Sequence, residues 1–474
     1  MGRKNKRVTL QGITVTDYAA EGKSIAKLEG KVIFVENAVP GDVVDVLLTK
    51  NKKDWAEGVV LRYQSYSSQR VDAFCSHFGI CGGCRWQMLP YAQQLVYKQQ
   101  QVQQQLKRIG KVELPEVLPI IGAGSHTHYR NKMEYTFANK RFIPREELDA
   151  AGDGPVAVDA NFAGAAGFHA KGVFDKVVDI KECYLQAEPT NAIRLWIKAY
   201  ALARQWSFYD VRQHVGFMRN VMLRICTTGE VLVNVVVGEA DMDKINPLMQ
   251  DLQAAFPQIT TLLYTVNTKW NDSIYDLEPQ VFYGKGYVVE KLEELAFKIS
   301  PKSFFQTNTQ QAEKLYQVTR DFAGLTGQEI VYDLYCGTGS IGTFVSAQAK
   351  KIIGVEVIAE AIEDAKENAK LNKIDHAHFF AGDVIDICTD DFFATHGRPD
   401  VVITDPPRAG MHDKLVGKLL EIAAPTIVYV SCNVATQARD IGLLAEKYSV
   451  EKIQPVDMFP HTHHIECVAL LKLK

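Results

Sequence analysis

No uninterrupted apolar run in the chain approaches the roughly 18 residues needed to cross a bilayer, so no membrane-spanning helix is expected. The basic opening Met1-Gly-Arg-Lys-Asn-Lys-Arg7 has no apolar stretch behind it. It therefore does not read as a secretory signal, and the cytoplasm is the expected compartment. Internal repeats and long linkers are also lacking. Cysteines are few, nine in 474 residues, and in a reducing compartment they are expected as thiols, metal ligands or nucleophiles instead of disulfides. There is little net charge, −3, with 47% apolar and 23% charged residues, the balance of a soluble globular protein. The length is too great for one core, so two or three domains are expected. The small net charge hides an asymmetry. Residues 1–140 carry 20 Lys and Arg against 12 Asp and Glu, and the remainder 33 against 44. A basic front end on an acidic body suits a polyanionic partner; a solvated surface reads equally well from charge alone.

The first 64 residues alternate apolar and polar in short runs, Ile13–Tyr18, Lys31–Val35, Asp42–Leu48 and Glu57–Tyr63. Turn signals separate them at Glu21-Gly22, Glu29-Gly30 and Val39-Pro40-Gly41-Asp42. Short, closely spaced strands predict a small β-barrel. Tyr18-Ala-Ala-Glu-Gly-Lys-Ser24, Val35 and Pro40-Gly41-Asp42-Val43-Val44 resemble a TRAM domain. That resemblance implies an OB-like barrel that binds RNA.

Residues 91–110 are Gln-rich, with Leu95, Val96, Val102 and Leu106 on an apolar stripe, and predict one amphipathic helix ended by Gly110. Residues 111–300 read as mixed α/β, with strands near 131–138, 219–226, 231–237 and 261–267. From about 303, short apolar runs alternate with helical stretches. Strands are expected at Ile330–Leu334, Lys351–Val355, Ala377–Phe380, Val401–Thr404 and Thr426–Val430, with a hairpin from 450–456 and 465–472. Helices between them predict a mostly parallel, Rossmann-like sheet with an antiparallel edge. The expected units are 1–64, 65–300 and 301–474.

Strand Ile330–Leu334 runs into Asp333-Leu-Tyr335-Cys-Gly337-Thr-Gly339-Ser-Ile-Gly342. Its G-x-G-x-x-G brings backbone N–H groups close to a ligand, and nicotinamide enzymes use the same turn. Two features favour S-adenosylmethionine. Asp333 ends the strand before the glycines, where it can contact the cofactor's charged amino-acid end through the loop. Glu356 ends the next strand, placed for two ribose hydroxyls. Asp383 follows the third, within reach of an adenine amino group. Three solvated strand ends would be the plain alternative, but acids at successive carboxyl ends mark the edge where open α/β sheets bind ligands.

The fourth strand ends in Asp405-Pro-Pro-Arg408-Ala-Gly410 and the fifth in Ser431-Cys432-Asn433. Most cysteines are small buried hydrophobes; one at the mouth of a cofactor site is a candidate nucleophile. Glu466, at the start of the last apolar strand, is a candidate base whose pKa burial would raise. Gly337-Thr-Gly339, Asp405-Pro-Pro-Arg408, Ser431-Cys432-Asn433 and Phe459-Pro-x-Thr-x-His-x-Glu466 together resemble the RNA uracil-5-methyltransferases. The resemblance implies Cys432 as nucleophile toward uracil C6 and Glu466 as the base that removes the C5 proton. It also implies a cofactor pocket from Gln306, Tyr335, Glu356, Asp383 and Asp405. One departure is Val434, where the family usually has proline. The loop Gln306-Thr-Asn308 also reads as the cap of a helix Gln310–Phe322.

Cys75, Cys81 and Cys84 stand in a glycine-rich C-x5-C-x2-C, a spacing that signals metal, with Cys183 as the expected fourth ligand. By spacing, zinc and an iron–sulfur cluster are both open. The resemblance implies a 4Fe–4S cluster, as many bacterial relatives carry. Cys226, Cys336, Cys388 and Cys467 read as structural. The expected partner is RNA, ribosomal before transfer RNA, engaged by a monomer that flips out its target base. Arg130, Lys132 and Lys140 are candidates for phosphates. Cytosine-5 methyltransferases have a second cysteine in Asp-x-Pro-Cys, absent from Asp405-Pro-Pro-Arg408. Methylthiotransferases with a TRAM domain need C-x3-C-x2-C. A non-catalytic RNA-binding protein would need neither Cys432 nor Glu466.

Overall fold

The computed structural model describes residues 8–151 and 164–474. Strands β1 (Thr9–Tyr18), β2 (Ser24–Leu28), β3 (Lys31–Glu36), β4 (Val43–Asn51) and β5 (Trp55–Ser65) close a barrel in the order β1-β2-β3-β5-β4. Alternation along them buries Ile13, Val15, Ala26, Ile33, Val35, Val44 and Val46. The short β2 is a strand beyond the four expected. The Pro40-Gly41-Asp42 turn is fixed chemically. Gly41 has φ +95°, and a Cβ there would meet Ser67 Oγ at 2.7 Å. The buried Asp42 carboxylate accepts from Val39 N, Ser67 N and both Nε and Nη2 of Arg70.

The helix Tyr91–Gln105 continues in wider turns through Gly110 and ends on left-handed Lys111. The expected apolar stripe is only half right. Val102 and Leu106 are buried in the core of the C-terminal sheet, but Val96 is 45% exposed. In its place Gln94 and Lys98 are fully buried, because both find polar partners on a loop far away in sequence.

The central region is a seven-stranded sheet. Its strands are β6 (Lys132–Ala138), β7 (Ala165–His169), β8 (Val177–Asp179), β9 (Met218–Ile225), β10 (Val231–Val237), β11 (Thr261–Val266) and β12 (Gln280–Tyr283), ordered β12-β11-β10-β9-β6-β7-β8. A hairpin of β13 (Val288–Leu292) and β14 (Leu295–Ile299) follows and packs with the helix Thr309–Ala323.

The last region is a second seven-stranded sheet. It comprises β15 (Ile330–Leu334), β16 (Lys351–Glu356), β17 (Ala377–Ala381), β18 (Val401–Thr404), β19 (Thr426–Ser431), β20 (Tyr448–Val456) and β21 (Glu466–Leu473). The order is β17-β16-β15-β18-β19-β21-β20, with β15–β19 parallel and the final pair antiparallel. Apolar clusters cover both faces, as near-continuous Val and Ile runs require. The strand order reverses between β15 and β18, the crevice where such sheets bind ligands.

Candidate active site

At the end of β15 the chain turns through three left-handed residues, Tyr335 (φ +59°), Gly337 (φ +53°) and Gly339 (φ +71°). A side chain at Gly339 would strike Phe379 at 2.8 Å, whereas nothing lies within 4 Å above Gly337, leaving room for a ligand against the backbone. Buried Asp333 accepts from Gly342 N at 2.8 Å and so pins the loop to its helix. Burial pushes the Asp333 carboxyl up to about 7, against the pull of that hydrogen bond.

Glu356, at the tip of β16, accepts from Gly337 N (3.3 Å) and Ile358 N (3.0 Å). Asp383 caps the turn after β17 through Ile385 N. Gln306 is buried, its carbonyl accepting from Asn131 Nδ2 at 2.9 Å. Asn308 caps the helix Thr309–Ala323 through Gln311 N and reaches Met458 O through Nδ2. The acids expected at successive strand ends thus share one edge.

Next along that edge, Asp405 follows β18 and Cys432 follows β19. Ser431 is the cross-strand partner of Cys467, so Cys432 and Glu466 stand at neighbouring strand tips. Asn433 stiffens this corner. Its side chain accepts from Ala435 N, capping the helix Val434–Leu444, and donates to Arg408 O at 2.9 Å. Val434 therefore occupies the first helical position, where proline would preset the same φ.

Arg408 was not singled out from sequence beyond its motif, yet its charge acts on both reactive groups. The Cys432 thiol is pushed up to about 11, first by burial and then by Glu466 and Asp405, while Arg408 pulls it down. Glu466 is held well above the carboxylate range by burial and Asp405, again opposed by Arg408. Burial alone lifts Asp405 to about 7. Buried Asp333 and Glu466 and half-buried Asp405 face one guanidinium, so the crevice is short of positive charge, and a sulfonium cofactor fits that deficit. His464 is a poor alternative base. Burial lowers it to about 3, and its Nδ1 meets Arg408 Nη2 at 3.2 Å.

Away from this edge, Cys75, Cys81, Cys84 and Cys183 line one partly open pocket, walled by Phe78 and Phe168. Cys81 N donates to His77 O, and Cys183 exchanges two hydrogen bonds with Asn191. Burial raises all four thiols, to about 11 for Cys81 and about 12 for Cys84. Among the described residues no group of three or more His, Cys, Asp or Glu is disposed to hold a metal ion.

Cys226, Cys336, Cys388 and Cys467 are buried. The three basic residues expected on phosphates are not brought together. Arg130 lies over the Phe459 ring at 5.0 Å and Lys132 pairs with Glu134, but Lys140 lies past the other end of β6, paired with Asp210.

Comparison with known proteins accords with this geometry. The family model for tRNA (Uracil-5-)-methyltransferase matches residues 278–474, and that for the TRAM domain residues 4–61. A Bacteroides thetaiotaomicron protein named an uncharacterized RNA methyltransferase is 50% identical, covering 96% of this chain and 100% of its own. One of the same name from Porphyromonas gingivalis is 49% identical, over 96% and 98%. Among solved structures, the Pyrococcus abyssi tRNA (uracil-54, C5)-methyltransferase in complex with S-adenosyl-L-homocysteine superposes with a TM-score of 0.73 at 27% identity. It covers 97% of this chain and 100% of that one. With its sheet, its crevice and its full-length relatives in agreement, the chain belongs to the S-adenosylmethionine-dependent RNA (uracil-5-)-methyltransferases.

Proposed function

We propose that the protein methylates C5 of a uridine in 23S ribosomal RNA through a covalent adduct on Cys432. The convergence of Cys432, Glu466, Asp405 and Arg408 at adjoining strand tips carries this reading. Bound S-adenosylmethionine supplies an electrophilic methyl group. Gln306, Asp333, Tyr335, Gly337, Gly339, Glu356, Asp383 and Asp405 form its pocket, Asp333 acting through the loop it pins.

Uracil C5 is a weak nucleophile. The Cys432 thiolate, favoured by Arg408, adds to C6, breaks the C5–C6 double bond and leaves an enolate with charge at C5. C5 forms its bond to the methyl carbon as the carbon–sulfur bond breaks, the electron pair staying on sulfur as a neutral thioether. Glu466 then removes the C5 proton, the double bond re-forms and the thiolate leaves C6. A carboxylate that burial lifts above its usual range is a stronger base than an exposed one.

Cys75, Cys81, Cys84 and Cys183 hold a 4Fe–4S cluster in this reading. Four thiols around one pocket support it. The resemblance to the bacterial uracil-5-methyltransferases favours the cluster over a four-thiolate zinc. The methyl transfer needs no electrons, so the cluster's part is structural, shaping the RNA-binding surface. We assign three units, 1–64, 65–300 and 301–474. The helix from Tyr91 and the β13–β14 hairpin are seated on the third. The enzyme acts as a cytoplasmic monomer.

Transfer RNA is the second reading. The Pyrococcus tRNA (uracil-54, C5)-methyltransferase aligns with 97% of this chain, so the barrel and the four cysteines, on which the ribosomal reading rests, do not by themselves mark a ribosomal enzyme. Nucleoside mass spectrometry of separated ribosomal and transfer RNA from a deletion strain decides. Loss of 5-methyluridine from ribosomal RNA is expected; loss from transfer RNA alone overturns the ribosomal assignment.

A further inference from the structure

Lys98 and Asp457 form an ion pair at 2.6 Å with both side chains fully buried. Desolvation offsets most of the attraction in such a pair, so stability alone explains it poorly. Its position supplies another reason. Asp457 directly follows Val456, and Val456 is the cross-strand partner of Glu466. Asp457 therefore opens the connection that hands the chain from β20 to Glu466.

Every polar atom of Asp457 is used to fix that point. Its Oδ1 accepts from Lys98 Nζ and from Phe459 N (3.0 Å), its Oδ2 from the Tyr91 hydroxyl (2.7 Å), and its carbonyl from Gln311 Nε2 (2.8 Å). Lys98 Nζ donates again to Phe459 O at 3.2 Å. Further along the connection, His461 N donates to Gln94 Oε1 at 2.9 Å, and Gln94 Nε2 meets His461 Nδ1 at 3.1 Å. Tyr91, Gln94 and Lys98 stand at i, i+3 and i+7, one stripe of a single helix. On another side of that helix, Tyr97 packs edge-on to Tyr18 of the barrel at 4.5 Å. One helix thus joins the barrel to the connection that carries the base.

We infer that Lys98 and Asp457 are a positioning pair for the proton-removal step, holding Glu466 in place against the adduct. The inference rests on Glu466 being the base. Addition and methyl transfer depend on the tips of β15–β19, which this connection touches only further along, through Met458 O on Asn308 and His464 on Arg408. The pair fixes the end next to Glu466, so its main effect falls on the later step.

The test is a single turnover with methyl-labelled S-adenosylmethionine and target RNA, quenched in detergent. Methyl transfer and release of RNA from the protein are timed separately. Asp457→Asn, Lys98→Met and Gln94→Ala are compared with wild type, and Glu466→Gln is the reference. In Asp457→Asn and Lys98→Met, release slows about a hundredfold, the scale of a misplaced group. Methyl transfer stays close to wild type, so methylated adduct accumulates; Gln94→Ala slows the same step less. A merely structural pair would depress both steps in proportion, and that result overturns the inference. Should the single variants not fold, Gln94→Ala and the apolar double replacement Lys98→Met with Asp457→Leu decide by the same readout, since apolar substitution of a buried pair is tolerated. Unaltered release in them overturns the inference. Adduct in Glu466→Gln but not in the pair variants overturns the positioning role alone; no adduct in Glu466→Gln overturns the base assignment and this inference with it.

Discussion

The side-chain amide of Asn433 donates to the carbonyl of Arg408 at 2.9 Å, tying the loop after β19 to the loop after β18. The same side chain caps the helix Val434–Leu444. One residue therefore fixes both the approach of Cys432 and the backbone of Arg408, whose charge favours the thiolate. Asn433→Ala is expected to cost about 1 kcal/mol of stability for the cap. It should slow adduct formation more than its melting temperature suggests. Rapid-quench kinetics beside thermal melts separate the two, and adduct formation at the wild-type rate would show the tie is not used.

Two acids of the crevice set a pH dependence. Asp333 and Asp405 are raised from 3.8 to about 7. Between those values the unfolded chain has released its protons while the folded one has not, so stability falls as pH rises through that window and levels above it. A sulfonium binds the ionised acids best, so the thermal shift given by S-adenosylmethionine should grow between about pH 5 and pH 8. A shift independent of pH would mean that these carboxyls do not face the cofactor's charge.

Anaerobically purified protein should be brown and contain about four irons per chain. Cys183→Ser should bleach it and weaken RNA binding more than cofactor binding. Metal analysis and visible absorption check this. Stoichiometric zinc in an iron-replete preparation would reject the cluster and leave the methyltransferase chemistry standing.

The barrel is tested by substitution in preference to deletion. Tyr18 packs on Trp86 and Tyr97, so removing residues 1–64 would uncover both rings. Lys27, Lys52, Lys53 and Arg62 are exposed on it. Replacing them with alanine should weaken RNA binding and flatten its salt dependence by about 0.7 in log–log slope per lost phosphate contact to unpaired RNA. Cofactor affinity should hold. An unchanged slope in titrations over a salt series would make the basic excess a solvated surface only.

Much of the catalytic edge was legible because its chemistry is local. Gly337-Thr-Gly339, Asp405-Pro-Pro-Arg408 and Ser431-Cys432-Asn433 each follow a short Val- and Ile-rich strand, so sequence alone puts them at strand ends. The central sheet was harder. Strand β7 is Ala165-Ala-Gly-Phe-His169, with little β propensity of its own, and it forms because its neighbours pair with it. The helix from Tyr91 misled for a related reason. Its pattern points Val96 inward, but Gln94 and Lys98 are the residues buried there. Lys98 meets Asp457 across 359 residues, and no spacing rule links positions so distant.

The central claim is that Cys432 opens the reaction and Glu466 closes it. The most direct measurement is a denaturing gel of protein–RNA adducts with labelled cofactor. Glu466→Gln keeps the side chain's size but not its basicity, so it should hold a methylated, covalently bound RNA. Wild type should do the same with RNA bearing 5-fluorouridine at the target, because fluorine cannot leave as a cation. Cys432→Ala should bind RNA and cofactor yet give no shifted band and no product. A shifted band persisting in Cys432→Ala, or Glu466→Gln turning over at the wild-type rate, would contradict the account.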